Sequence, residues 1–179
     1  MRERLIMKRI EEEKRLLEKL MTWLPGFKGY KEKELRRESD RLLRTHLYQK
    51  MRNNRTILYD LYREVVDLGL VEIWESIDRI IIKVDTISER INHAAYGYTG
   101  FFDALKVDEI KLDKMIAFDH QLIEKIDNLS KKIDEVKHLI PKKDIDELTR
   151  QVNNTYRLLL ELELILNDRK STILGIIGE

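Results

Sequence analysis

The chain has 179 residues, 37% charged and 42% hydrophobic, with 7 glycines, 2 prolines, no cysteine and a net charge of +1. That length holds one domain with a substantial core, or one domain plus an extension. So few turn residues, and no alternating Val/Thr-rich runs, exclude a sandwich or barrel, and the lack of cysteine excludes disulfides, thiolate metal sites and cysteine nucleophiles.

The first helix is expected from about Arg2 to Met21. Leu5, Ile6, Ile10, Leu16, Leu17 and Leu20 recur at near-helical spacing, and Glu11, Glu12, Glu13, Lys14 and Lys19 form a charged face. Leu24-Pro25-Gly26-Phe27-Lys28-Gly29-Tyr30 breaks it, since proline removes a donor and glycine admits turn conformations. A second helix starts near Lys31, with Leu35, Leu42, Leu43, Leu47 and Tyr48 facing inward. Asn53-Asn54 is a weak turn candidate.

From there Tyr59, Tyr62, Val66, Leu70, Ile73, Ile77, Ile80, Val84, Ile87 and Ile91 alternate steps of three and four. The pattern is a heptad seam that keeps phase through Gly69, which reads as a soft spot in one helix. Ala94 to Asp103, with two glycines among four aromatics, reads as a tight packed connection. The next helix begins near Asp108 and carries Leu112, Met115, Asp119, Leu122, Ile126, Leu129, Ile133, Val136 and Ile140 on the same repeat until Pro141 stops it. The last starts near Asp144, with Ile145, Leu148, Val152, Thr155, Leu159, Leu162 and Leu166 on its seam.

Short connections make neighbouring helices antiparallel. The expected fold is all-α, an elongated antiparallel bundle with coiled-coil-like heptad seams. Its expected parts are basic N-terminal helices over 1–55, a three-helix core over 56–170 and an apolar, glycine-broken tail over 171–179. No N-terminal run resembles a signal peptide and no stretch nears the roughly 18 apolar residues of a membrane span, so a cytoplasmic location is expected. Dense opposite charges, many isoleucines and no cysteine also lean towards a thermophilic source.

Charge divides unevenly. Residues 1–55 hold 17 Lys and Arg against 9 Asp and Glu, and the remainder 17 against 24. Either the two parts pack on each other or the basic part meets an anionic partner. The candidates for an anionic membrane or nucleic acid are Lys28, Lys31, Lys33, Arg36, Arg37, Arg41 and Arg44. Glu32, Glu34, Glu38 and Asp40 interrupt them, and only Tyr30 and Tyr48 are placed to stack on bases, which argues against a nucleic-acid reader.

Catalytic signals are weak. Glu135 and His138 have the i, i+3 spacing of di-iron bundle ligands, but such sites need a second copy of the motif and two further carboxylates. Glu89 and His93, Asp119 and His120, and His46 form no nucleophilic arrangement. Gly97-Tyr98-Thr99-Gly100 is too short for a phosphate loop and follows a helix. No catalytic, cofactor or metal residues are assigned. Asp119 stands out because a carboxylate on a seam is costly unless paired; it reads as a buried polar residue that fixes register, with Arg90 or Arg79 as its cation.

Two stretches, Leu24-Pro25-Gly26-Phe27-Lys28-Gly29-Tyr30-Lys31-Glu32-Lys33-Glu34 and Tyr96-Gly97-Tyr98-Thr99-Gly100-Phe101-Phe102-Asp103 with Lys106-Val107, resemble segments of an uncharacterised family of helical prokaryotic proteins. The resemblance covers about a tenth of the chain and implies a helical protein, with no activity to transfer. The residues themselves point to a non-enzymatic scaffold or adaptor that acts by self-association or on a helical protein partner. The last helix is apolar on more than one face, through Leu158, Leu159, Leu160, Leu162, Leu164, Ile165 and Leu166, and one hairpin partner does not cover that belt. With the tail residues Ile173, Leu174, Ile176 and Ile177, the members Leu158, Leu160, Leu164 and Ile165 are the partner-binding candidates. The alternatives are a peripheral protein on an anionic surface, or a metal-dependent bundle enzyme whose ligands converge from separate helices.

Overall fold

Apolar residues at alternating steps of three and four are buried together only when the chain coils into long amphipathic helices. The computed structural model describes residues 2–94, 100–101 and 107–177, with side chains placed for all but 2–6, 9, 13, 176 and 177. Among the described residues the long α-helices are α1 (Arg2–Trp23), α2 (Lys33–Asp67), α3 (Val71–His93), α4 (Glu109–Leu139) and α5 (Ile145–Ile177). They pack as an all-α helical bundle, and no strand occurs among the described residues. No helix is long and apolar enough to cross a membrane.

Local chemistry sets the helix ends. Asp108 and Asp144 cap α4 and α5: Oδ1 of Asp108 accepts from the Ile110 amide at 2.9 Å, and Oδ1 of Asp144 from the Glu147 amide at 3.1 Å. After α4, Ile140-Pro141-Lys142 form a single 3₁₀ turn, closed by Lys143 in the left-handed region at φ 56°. Gly69 ends a helix, contrary to its reading as a soft spot. Its φ is +68°, the Leu70 amide bonds the Val65 carbonyl at 3.0 Å, and the Gly69 amide bonds that of Val66 at 2.9 Å. These two bonds form a Schellman cap, which needs a residue content with positive φ. By contrast, α2 runs through Asn53-Asn54 without a break, and α5 carries the supposed tail as far as Ile177.

Breaking the helix at Gly69 resets the seam. In the last part of α2 the buried residues are Leu58, Leu61 and Val65, one position before the expected Tyr59, Tyr62 and Val66. Counting the repeat backwards through the turn shifts it, because the turn does not conserve phase. Beyond the turn, Ile73, Ile77, Ile80, Val84, Ile87 and Ile91 are buried as expected.

By its contacts the chain forms two units. One comprises Met1–His46, His93–Ile123 and Ile165–Glu179; the other, Leu47–Asn92 and Glu124–Leu164. The second contains four helical segments in place of the expected three, paired as two antiparallel hairpins. Arg55 and Asp85, on opposite arms of the hairpin that turns at Gly69-Leu70, form an ion pair. Lys125 and Glu161, on opposite arms of the hairpin that turns at Lys143, form another. Between them lie Met51, Leu58, Ile77, Val84, Ile126, Ile133, Val152 and Leu159, all at most 2% exposed. In the first unit Leu20, Leu24, Phe27, Tyr30, Leu43, Phe101, Met115, Ile116 and Ile173 make the core. Ile10 and Ile145, expected inside, are exposed, and Leu5, Ile6 and most of the Ala94–Asp103 connection lie outside the described side chains.

Gly69→Ala should lower stability by about 1–2 kcal/mol, because alanine resists the left-handed region even where, as here, nothing lies within 4 Å of its added carbon. Gly175→Ala, in helix with open space around it, should instead raise stability by about 0.5–1 kcal/mol. Urea unfolding of the two variants checks the contrast, and equal effects would contradict the cap at Gly69.

Candidate functional site

Among the described residues a dense group of buried polar side chains starts at the turn after α1. Leu24-Pro25-Gly26-Phe27 curls so that the Phe27 amide bonds the Leu24 carbonyl at 2.9 Å. Gly29 has φ +80° with Cδ1 of Leu17 3.4 Å from where a Cβ would stand, so both backbone and space call for glycine. The turn delivers two aromatic rings into the core. Tyr30 lies edge-on to Phe27 at 5.6 Å and to Phe101 at 5.7 Å.

Three side chains then meet around Arg169 of α5. Its Nε donates to Oδ1 of Asp119 on α4 at 2.7 Å, and its Nη2 to Oδ1 of Asp40 on α2 at 3.0 Å. The same Nη2 lies 3.3 Å from the Tyr30 hydroxyl, which donates to Oδ2 of Asp119 at 2.5 Å. Arg44, one turn beyond Asp40, donates its Nε to Oδ2 of Asp40 at 2.7 Å. Two carboxylates are thus balanced by two guanidinium groups. Tyr30 and Asp119 are fully buried, Asp40 is 1% exposed and Arg169 3%.

Burial, the largest influence, raises the Asp119 carboxyl above the ordinary aspartate range, although Arg169 and the Tyr30 hydroxyl pull it down. Burial and the nearby Asp119 charge hold the Tyr30 phenol well above its ordinary value, so Tyr30 stays a donor. Arg36 braces the turn beside this network. It is 2% exposed, donates its Nε to the Tyr30 carbonyl at 2.8 Å and sets its guanidinium 5.7 Å from the Phe101 ring centre. With Tyr30, Asp40, Asp119 and Arg169 hydrogen-bonded and buried, the arrangement is a clasp joining α2, α4, α5 and the turn.

Asp119 is therefore buried and paired, but its cation is Arg169. Arg79 bonds Ser76, and Arg90 pairs with Glu163. Arg36, Asp40 and Arg169 escape the sequence reading as network members. The signal is nonetheless present: continuing the seam of α5 past Leu166 by steps of three and four lands on Arg169 and then Ile173.

The other candidate residues are dispersed. Of the basic set, Arg36 is buried, Arg44 is held by Asp40, Arg41 is paired with Glu38 at 2.9 Å and Lys33 is half-buried; Lys28, Lys31 and Arg37 are exposed. Arg36 and Arg44 therefore leave the anionic-surface set, because each is committed to a buried acceptor. Glu135 and His138 line an open cleft of about 600 Å³ with Lys131, Lys142, Glu147 and Gln151, and Nδ1 of His138 lies 2.7 Å from the Asp134 carbonyl of its own helix. Among the described residues no three His, Asp or Glu side chains are grouped to hold a metal ion. His120 packs its ring 5.1 Å from Trp23. Of the apolar candidates, Ile173 is buried in its own unit and so leaves the partner-binding set; Leu158 and Ile165 are half-buried. Leu160, Leu164 and Leu174 are exposed, and the side chains of Ile176 and Ile177 lie outside those described.

Asp119→Ala leaves Arg169 with one carboxylate and should destabilise by about 3 kcal/mol; Arg169→Ala strands two buried carboxylates and should cost about 4–5 kcal/mol. Losses below about 1 kcal/mol in urea unfolding would contradict the clasp.

Acid acts elsewhere. Because folding raises the Asp119 pKa, the stability linked to its proton is present below the unfolded value and lost as pH rises through the folded one. Glu147 is the opposite case. Hydrogen bonds from Arg150 and then Gln151 hold it at about 2, so its contribution is present above the ordinary 4.5 and lost as pH falls towards 2. Between pH 4.5 and 2 the urea midpoint should fall less for Glu147→Gln than for the parent protein, and an unchanged slope would contradict the assignment.

No family model, no curated protein and no solved structure matches the chain, so the reading of its function rests on its own residues.

Proposed function

We propose that this chain is a non-enzymatic helical scaffold or adaptor that works by associating with helical protein surfaces, its own or another's. One observation carries the reading. On α5, Leu160 is 39% exposed and Leu164, one turn later, 62% exposed. At about 100° per residue, Glu161 falls on one side of this pair and Glu163 on the other. Neither glutamate charge is left over: Glu161 pairs with Lys125 of α4, and Glu163 with Lys83 at 2.5 Å and Arg90 at 3.0 Å, both of α3.

The result is an apolar crest between neutralised charges, which resembles the centre of a protein interface with its polar rim. Each leucine gains roughly 1.5–3 kcal/mol on full burial, so the crest favours a partner that covers both. Replacing both leucines by glutamate should disperse any assembly seen by light scattering or sedimentation and leave the melting temperature of the monomer nearly unchanged. A protein that is monomeric at every concentration, and indifferent to the double substitution in binding to helical partners, would remove this reading.

A further inference from the structure

Resting on that reading, the geometry points to the occupant of the crest: the same face of α5 from a second copy of this chain, lying antiparallel, with Leu160 against Leu164 and Arg157 against Asp168. All four residues stand on one uninterrupted helix. Measured round the helix axis from Leu160, Leu164 lies at about 40°, Arg157 at about 60° and Asp168 at about 80°, so the four share one flank. Arg157 precedes the leucine pair by one short turn, and Asp168 follows it by a similar step.

Charge selects the partner and its direction. Arg157 and Asp168 are exposed, and among the described residues neither has an ion-pair partner. They differ in this from Glu161 and Glu163, whose charges are satisfied within the fold. In two helices related by a two-fold axis, residues on the same flank meet at equal distances either side of the crossing point. A crossing midway between Leu160 and Leu164 sets each Leu160 by the other Leu164, and each Arg157 by the other Asp168. Parallel pairing would instead set Arg157 on Arg157 and Asp168 on Asp168. A membrane or nucleic acid would meet Asp168 as a repulsive charge. One helix face falls short of the roughly 800 Å² per partner typical of a stable complex, so the pairing is weak and appears only in concentrated protein.

Sedimentation equilibrium of the full chain, from about 10 μM to about 1 mM, tests the pairing. The parent protein should dimerise within that range. Arg157→Glu sets acid against acid twice and should weaken the dimer about tenfold, as should Asp168→Arg, whereas the double swap Arg157→Glu/Asp168→Arg should restore it to within about threefold. All these positions are exposed, so helix content by circular dichroism should not change. A parent protein monomeric at about 1 mM overturns the inference. So does a double swap that fails to rescue. A dimer that ignores the charge swaps also overturns it, but leaves association through another face standing. Should Leu164→Glu disturb folding, the charge variants still decide.

Discussion

Arg169 can bond two acids at once because its guanidinium carries donors pointing in different directions. One edge faces Asp119 on α4 and another Asp40 on α2, and the Tyr30 hydroxyl closes the ring. Neither carboxylate is tolerable in that place alone, since an ionised group away from water loses several kcal/mol of solvation. The turn after α1, the start of α2 and the end of α5 are thereby held to one geometry. A lysine would supply one point charge with no planar fork, and could not span both acids in the same way.

The two units manage charge differently. In the first, Arg36, Asp40, Asp119 and Arg169 lie buried in the core and are hydrogen-bonded there. In the second the core is apolar, and the ion pairs Arg55–Asp85, Lys125–Glu161 and Lys83–Glu163 stand 20–54% exposed at its edges. Its few buried polar groups are answered locally: Ser88 and Thr155 return their hydroxyls to the carbonyls of Val84 and Gln151, four residues back. Asn54, 2% exposed on the seam of α2, leaves its Nδ2 unbonded, as Gln151 leaves its Oε1. A buried amide group without a partner costs stability.

How far the fold can be read from residues depends on whether the pattern is apolar. The seams of α4 and α5 show at once, since isoleucine and leucine at steps of three and four rarely mark anything but a buried helix face. The caps at Asp108 and Asp144 and the stop at Pro141 are legible for similar local reasons. Arg36, Asp40 and Arg169 follow the same spacing, yet charged residues on a helix usually face water, so a seam that turns polar looks like a seam that ends. Only the position of Asp119 betrays the clasp, because apolar layers flank it on both sides. Gly69 misleads for the opposite reason: the repeat resumes beyond it in apparent phase, which hides a cap that the glycine alone could reveal. The crest on α5 is partly visible as excess leucine, but not which leucines its neighbours cover.

The clasp joins residues far apart in the chain: Arg169 bonds partners 129 and 139 positions earlier, while Arg55 and Asp85 are separated by 30. Closing a longer loop loses more chain entropy, and local contacts generally form first. On a ribosome adding about 5–20 residues per second, Asp40 is made on the order of ten seconds before Arg169 exists. Through that interval the nascent chain carries Phe27, Tyr30 and Asp40 without the Arg169 guanidinium that joins them to Asp119, and the hairpin across Gly69 is free to form alone. The order of synthesis therefore makes the first part of the protein to be translated among the last to become native.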